Sequence, residues 1–458
     1  MMDREEYVVA GTPSNVLLRR AGMSLILVAM AALLPASNCS SNIGHNVSGP
    51  ATFRVSVGND DLQADNGTLA YSVSSDGRYV AFASAANNLG LNPTSFKEIW
   101  LKDRTTGHVT NVSRLAFLFD PSLGGDCDHP AISPDGQYVA FESVAVISGS
   151  ETTPQTVKNI FVRDTTNLNL IYRAVTGPGL TTWPNGDCTS PSIARNGGSV
   201  WVVFQSTATN IPGPTGPPPG GNGDIYAFDI LAGSPFCKLV SHAMGNPIGY
   251  ASGFSQNPKI SADGSTVAFT STASLTGAAG GTFEIFTGTP GAGTVTLVSS
   301  VNGTANTPAN ADSLLPTISS TGRFIAYSTG ASNIGYAGNT GHDMVVRDMT
   351  GQTTNLVATN VVILFGIARG FGDTVGMSDD AQYFSYTDRT DGLIHFVSPS
   401  GNTLGSVSTY GIIPAQSCKN STLTADGTEL FFTTPSANIV LDDTNSSPDV
   451  FCRQPMHY

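Results

Sequence analysis

Residues 131–141 read AISPDGQYVAF. Asp135 and Gly136 stand between two runs of β-forming residues, and an Asp-Gly pair adopts the positive φ angles that a tight hairpin turn requires. The run after the turn, from Tyr138 to Phe141, is almost continuously apolar, which is typical of a strand buried on both faces. The stretch therefore predicts a β-hairpin whose second strand lies in the protein interior.

The same pattern recurs at intervals of roughly 60 residues, a spacing in the range of propeller blades with long loops. After each hairpin comes a third strand, which often ends on a polar pair such as Arg163 and Asp164, and then a turn and a fourth strand. The hairpin turns of seven copies centre on residues 76–77, 135–136, 196–197, 263–264, 321–322, 380–381 and 426–427. The third, fifth and sixth copies lack the Asp-Gly pair. We predict an all-β fold, a seven-bladed β-propeller of four-stranded blades.

The strand count predicts how the ring closes. The seventh copy runs through a third strand, residues 449–453, and the chain then stops before a fourth strand can form. A segment with the fourth-strand pattern, residues 52–57, precedes the first copy instead. We expect this N-terminal strand to complete the last blade, because closure removes an exposed sheet edge that would invite aggregation.

The repeat also has a family resemblance. The Ser-Pro-Asp-Gly core that begins at Ser133, with third strands ending on Arg-Asp, resembles the exported WD-repeat-like (TolB-type) β-propeller repeat. The stretch from Asn438 to Asn445 is similar to one common in exported bacterial propellers. The resemblance covers residues 52–453 and implies a propeller fold and an extracytoplasmic compartment, but no particular activity.

Composition narrows the classes of partner. The net charge is −13, from 21 Lys and Arg against 34 Asp and Glu. Such a surface repels the phosphate backbone of nucleic acids and attracts cations or basic partners. The sequence therefore argues against nucleic-acid binding and favours a monomeric propeller with a protein or peptide partner.

The N-terminal region has the layout of an export signal. Arg19 and Arg20 precede an apolar run at residues 23–34, which is shorter than the roughly 20 residues that span a bilayer. We expect residues 1–38 to be a signal peptide or N-terminal export segment and residues 39–51 to be a flexible tether. The propeller then occupies residues 52–458.

Cysteines leave two questions open. Cys39 stands where a bacterial lipoprotein carries its lipid, although Asn38 before it fits a lipobox poorly, so a lipid anchor is the one membrane contact considered. Cys127 and Cys188 each precede a repeat in neighbouring blades. They can pair as a disulfide in an oxidising compartment or stay free thiols.

Acidic residues recur in the loops between one blade and the next, which gather around the channel on one face of a propeller. We expect them to form an acidic rim that binds a cation or a basic peptide. The alternative is that these side chains only cap turns. The candidate binding residues are Asp61, Asp126, Asp128, His129, Asp187, Asp312 and Asp373.

A second acidic group lies in the last blade. It supplies oxygen ligands close enough in sequence to hold calcium, but it lacks the spacing of an EF-hand loop, and a hydrogen-bonded turn is the alternative. The candidate ligands are Asp442, Asp443, Asn445 and Asp449. No other cofactor is indicated.

Two functions of different classes remain open. The sequence contains no His-x-x-x-His zinc pair and no Gly-x-Ser-x-Gly nucleophile motif. We therefore favour a non-enzymatic extracytoplasmic module that binds or assembles proteins of the cell envelope through the acidic rim. The alternative is a hydrolase or lyase acting on an extracellular polymer, with rim carboxylates as acid and base beside His129. That alternative requires a carboxylate of raised pKa in a deep polar pocket.

Overall fold

The computed structural model describes residues 50–456 apart from 91–94, 115–124, 146–155, 169–170, 174–182, 212–222, 233–236, 244, 247–248, 278–280, 305, 336–340, 360 and 362–374. The described residues form 28 β-strands and no helix. The strands make seven separate four-stranded antiparallel sheets, so the predicted seven-bladed β-propeller is confirmed.

Six blades follow one another along the chain, each built from four consecutive strands. Blades one to three comprise β2 (Thr68–Val73), β3 (Tyr79–Ser84), β4 (Glu98–Asp103) and β5 (Val109–Asn111); β6 (Cys127–Ile132), β7 (Tyr138–Ser143), β8 (Asn159–Asp164) and β9 (Ile171–Arg173); and β10 (Cys188–Asn196), β11 (Ser199–Ser206), β12 (Asp224–Asp229) and β13 (Lys238–Leu239).

Blades four to six comprise β14 (Ser255–Ile260), β15 (Val267–Ser271), β16 (Glu284–Gly288) and β17 (Val295–Leu297); β18 (Ser313–Ile318), β19 (Phe324–Thr329), β20 (Asp343–Asp348) and β21 (Thr353–Ala358); and β22 (Gly376–Met377), β23 (Phe384–Thr387), β24 (Ile394–Ser398) and β25 (Gly401–Leu404). Blade seven comprises β26 (Lys419–Leu423), β27 (Leu430–Thr434), β28 (Asp449–Gln454) and, from the other end of the chain, β1 (Ala51–Arg54).

The first strand of each blade is the innermost. These first strands contact one another from blade to blade around the ring, and the fourth strand of each blade lies at its outer edge. The second strands are buried between neighbouring blades, as the apolar runs predicted: every residue of β7 is buried. The inner strands therefore form the wall of a central channel.

The hairpin turn joins the first two strands for the reason that the sequence indicated. Gly136 has a φ of 76°, and the Ser133 hydroxyl donates a hydrogen bond of 2.6 Å to Asp135. The turns also link neighbouring blades: the amide of Ser75 donates to the carbonyl of Pro134 at 3.0 Å, and the amide of Ala425 donates to Ser75 at 3.0 Å. The last blade is thus hydrogen-bonded to the first.

The N-terminal strand closes the ring. β1 pairs antiparallel with β28, from Ala51 opposite Gln454 to Arg54 opposite Phe451. A buried ion pair strengthens the same junction, because Arg104 of blade one donates to Glu429 of blade seven at 2.5 Å. This agrees with the closure predicted from the strand count.

In blades two and seven, an arginine near the end of the third strand docks the blade on the one before it. Arg163 is fully buried and donates to the carbonyl oxygens of Val112 and Arg114 at 2.7 Å each. Arg453 similarly donates to Val407 at 3.1 Å. A guanidinium suits this place because its fixed fork of donors reaches several carbonyls at once.

The cysteines of the described residues are buried and free. The thiol of Cys127 donates to Ser143 at 3.2 Å, and Cys188 lies 3.2 Å from the hydroxyl of Ser206, so these two do not pair with each other. Burial raises the pKa of each of these two thiols to about 12. The free-thiol alternative therefore holds in the structure.

The predicted export segment, Cys39 and the predicted tether up to residue 49 lie outside the described residues. Ala51, the last residue of the predicted tether, is the first residue of β1, so the propeller begins one residue earlier than predicted. The described part of the chain contains no helix long and apolar enough to cross a membrane.

Candidate functional site

A β-bulge in the inner strand of blade two presents His129 at the channel wall. The pairing of β6 with β7 shifts between Asp128 and Ala131, and His129 in the bulge has a φ of 48°. Such bulges re-aim side chains and are frequent beside binding sites. The inner strands of other blades repeat this device, with positive φ angles at Ser190, Asn257, Leu315 and Asn420.

His129 lies against a buried carboxylate. Its Nδ1 is 3.3 Å from Oε1 of Glu142 and 3.9 Å from Oδ1 of Asp128. Glu142 also accepts hydrogen bonds of 2.7 Å from the ammonium of Lys158 and 2.8 Å from the amide of Ser190 in blade three. One buried carboxylate therefore holds three donors that come from two blades.

A lysine from blade one extends this network. The ammonium of Lys97 pairs with Asp128, while its backbone amide donates to Asp126 at 2.9 Å. Lys97, Asp128, His129, Glu142 and Lys158 form what we call the channel-mouth cluster. Its charges alternate in sign, and Lys97 and Lys158 remain 38% and 25% exposed.

Charges within the channel-mouth cluster shift the pKa values of His129 and Glu142. Burial alone would lower the pKa of His129, but the neighbouring Glu142 and Asp128 outweigh it and raise that pKa above the ordinary value. Burial alone would raise the pKa of Glu142, but His129 and Lys158 outweigh it and lower that pKa. Each member of the pair therefore stabilises the charged form of the other.

Three predicted rim residues share one structural role. Asp126, Asp187 and Asp312 each accept a hydrogen bond from the backbone amide just before the third strand of the preceding blade, with distances of 2.9, 3.0 and 2.9 Å. This is the capping role weighed as the alternative. Contact of these carboxylates with a partner stays a prediction.

The structure does not bring all the predicted rim residues together. Asp61 lies in a turn whose neighbour Asn59 exchanges hydrogen bonds with Val109 in the outer strand of blade one. Asp128 and His129, by contrast, belong to an inner strand. Asp373 lies outside the described residues.

The candidate calcium ligands surround an arginine. The guanidinium of Arg54, 3% exposed, lies 3.6 Å from Asp442, 3.6 Å from Asp443 and 3.2 Å from Asp449. We call these four residues the Arg54 cluster. Gln63 donates to Asp443 and Asp449 at 2.9 and 2.7 Å.

Asn445 faces elsewhere and donates to the carbonyl of Ala64 at 2.7 Å. Burial, opposed by Ser56 and Arg54, raises the pKa of Asp449 to about 6. Among the residues that the structure describes, no group of three or more His, Cys, Asp or Glu side chains is arranged to hold a metal ion.

Sequence analysis missed the acids at the start of the third strands. Burial raises the pKa of Asp224 to about 6 and that of Glu284 to about 8. They accept hydrogen bonds from Ser241, at 3.0 Å, and from Ser299. A Val-Ser pair directly after the fourth strand of the same blade was the available signal. These acids are buried within their blades, where each one links the third strand to the segment after the fourth strand.

Blade seven contains a cavity of about 450 Å³, lined among others by Ser417, Lys419, Thr433 and Pro448. None of the predicted site residues lines it.

Comparison with known proteins found similar structures but no family. No protein-family model matches the sequence, and no curated protein matches it. A TolB structure from Acinetobacter baumannii is similar with a TM-score of 0.40 and 14% identity, over 86% of this chain and 71% of that one. A β-propeller domain of Cps50 (Swd1) from Myceliophteria thermophila has a TM-score of 0.43 and 9% identity, over 84% and 96% of the two chains.

A structure from a study of two prolyl endopeptidases gives a TM-score of 0.50 and 11% identity over 86% of this chain. The chain spans about half of that protein, 51% of its length. At these identities the likeness concerns the fold alone. The class of the protein is thus a seven-bladed β-propeller.

Proposed function

We propose that the chain is a non-enzymatic binding module that captures a basic protein or peptide segment at the mouth of its channel. The observation that carries the proposal is the exposed carboxylate of Asp126 beside the channel-mouth cluster, to which two blades contribute side chains of alternating charge. The cluster is already hydrogen-bonded and ion-paired within the protein, so little ordering remains to be done when a partner binds.

The neighbouring rim carboxylates supply the acidic surface. Asp126 and Asp312 each use Oδ1 to cap a backbone amide, and the second oxygen of each makes no hydrogen bond to another described residue. Asp126 is exposed. A lysine or arginine of a partner can reach these oxygens, and the net charge of −13 favours a basic partner.

Binding is favoured over catalysis by where the raised pKa values fall. A hydrolase or lyase at the rim would need a protonated carboxylate beside its base. The acids of raised pKa, such as Asp224 and Glu284, are instead buried at the start of third strands and hydrogen-bonded to serines. In the channel-mouth cluster the pKa of Glu142 is lowered.

The proposed place of action is outside the cytoplasm, in the cell envelope. The support for it is the layout of residues 1–38 and the resemblance of the repeat to exported propellers. The module acts as a monomer, and its membrane contact is limited to a lipid on Cys39.

The test is charge reversal at the rim. Asp126→Lys should weaken the binding of a short fluorescent lysine-rich peptide about tenfold or more, because attraction becomes repulsion. Fluorescence anisotropy measures the affinity, and cross-linking in envelope extracts followed by mass spectrometry then identifies the native partner. Asp60→Lys, which adds the same charge on the turn over an outer strand, is the matched control. Equal peptide affinity in the two variants would show that the rim is not the binding surface.

A further inference from the structure

Seven wall residues occupy one level of the channel. Each lies in the innermost strand of its blade and pairs with the same position of the second strand, as Ala131 pairs with Ala140 and Lys259 with Ala268. In blades two, three, four, five and seven this residue directly follows the bulge of the inner strand. The same register recurs in all seven blades, so the residues form a ring, which we call the Lys259 layer. Its members are Ser72, Ala131, Ser192, Lys259, Thr317, Gly376 and Thr422.

Lys259 is the one long and charged side chain of this layer. It is exposed to solvent, although protein surrounds it closely enough for desolvation to lower the pKa of its ammonium group. That combination is expected for a side chain inside a water-filled channel. Among the described residues no carboxylate forms an ion pair with it.

Hydroxyl groups make the layer rich in donors. The hydroxyl oxygen of Ser72 accepts the amide of Ile132 at 3.1 Å, and that of Ser192 accepts the amide of Ile260 at 3.2 Å. Each oxygen is thus already engaged as an acceptor, and its own O–H proton is the group left to point at a ligand. Thr317 adds a further half-buried hydroxyl, whereas the hydroxyl of Thr422 is hydrogen-bonded to Tyr71. The layer therefore offers one ammonium and several hydroxyl donors, with no carboxylate.

We propose that the Lys259 layer is an anion site that binds a carboxylate inside the channel. A monoanion fits because one ammonium balances one negative charge, whereas a doubly charged group would leave charge uncompensated in an enclosed place. Two sources share this chemistry, a free small carboxylate and the carboxyl terminus of a peptide entering the channel. The inference is independent of the proposed rim function.

The test is a calorimetric titration of the purified protein at low ionic strength, which measures the affinity for each probe. The probes are sodium acetate and a short Gly-Ser peptide, the latter prepared with a free carboxyl terminus and as its amide. Lys259→Gln should weaken carboxylate binding about tenfold or more, because a charge-assisted hydrogen bond is lost. Lys259→Arg should retain binding. Lys238→Gln, which removes an exposed lysine of an outer strand, is the matched control.

The outcomes separate the two sources. Binding of the free peptide but not of its amide assigns the site to a chain terminus, and binding of acetate without that preference assigns it to a small carboxylate. In either case the affinity for the carboxylate should fall as the pH rises and Lys259 loses its proton. Because the pKa of Lys259 is lowered, this fall should occur at a lower pH than the pKa of an ordinary lysine predicts. Equal affinities for the wild type and Lys259→Gln, or no binding of either probe to the wild type, would overturn the proposal. Peptide binding at the rim is measured separately, so failure of one proposal leaves the other standing.

Discussion

The Arg54 cluster and the channel-mouth cluster both assemble carboxylates around a basic group, and they differ in access to water. In the Arg54 cluster the guanidinium and two of its three carboxylates are buried, and only Asp442 is open, at 49%. In the channel-mouth cluster the buried carboxylate of Glu142 contacts a titratable histidine and a lysine that reaches solvent. The first arrangement joins the two ends of the chain, and the second leaves charges that a partner can meet.

The physical reason lies in desolvation. Removing one member of a buried ion pair leaves an uncompensated charge, whereas an exposed partner is replaced by water at little cost. The buried charges of the Arg54 cluster therefore stabilise the closure of the ring. The half-exposed charges of the channel-mouth cluster remain available to bind a partner. Three substitutions test this contrast, from the largest expected effect to the smallest.

Arg54→Ala should lower the free energy of unfolding by about 3–5 kcal/mol, because it strands Asp443 and Asp449 in the interior. Urea unfolding measures the loss. Asp442→Asn, at the exposed edge of the same cluster, is the control and should cost less than about 1 kcal/mol. A loss for Arg54→Ala no larger than the control's would show that the guanidinium does not hold the closure.

Glu142→Ala should cost about 2–3 kcal/mol, since the amide of Ser190 and the cations of His129 and Lys158 lose their shared acceptor. The pKa of His129 should fall below its raised value, which NMR titration of the imidazole measures. Glu142→Gln keeps an acceptor for Ser190 and should lose less stability while lowering the same pKa. An unchanged histidine pKa in both variants would contradict the assigned contact.

His129→Gln should change the pH dependence of stability by on the order of 1 kcal/mol. The pKa of His129 is raised in the folded state, so its contribution is fully present below the unfolded value of 6.5 and is lost as pH rises through the folded value. Urea midpoints of wild type and variant should therefore converge at high pH. A difference that stays constant across this range would mean that the histidine does not titrate in the cluster.

Much of the architecture was predictable because its signals are local. The turn at Asp135 and Gly136 and the apolar run after it specify a hairpin wherever they occur. Blade six retains the turn with Ala381 in place of glycine, at a φ of 54°, because the surrounding blade holds it there. The site was less predictable. Asp126 and Asp128 were named from their loop, but their partner Lys97 and the neighbouring Glu142 come from segments whose proximity no local pattern indicates.

By itself, the sequence determined the number of blades and the strand that closes the ring, since both follow from counting repeats with hairpin chemistry. Only the tertiary structure decided which charges meet. Ser56 and Asp449 share a hydrogen bond across 393 positions, and the acids predicted to hold calcium face Arg54. Turn geometry depends on neighbours along the chain, whereas the neutralisation of a charge depends on neighbours in space.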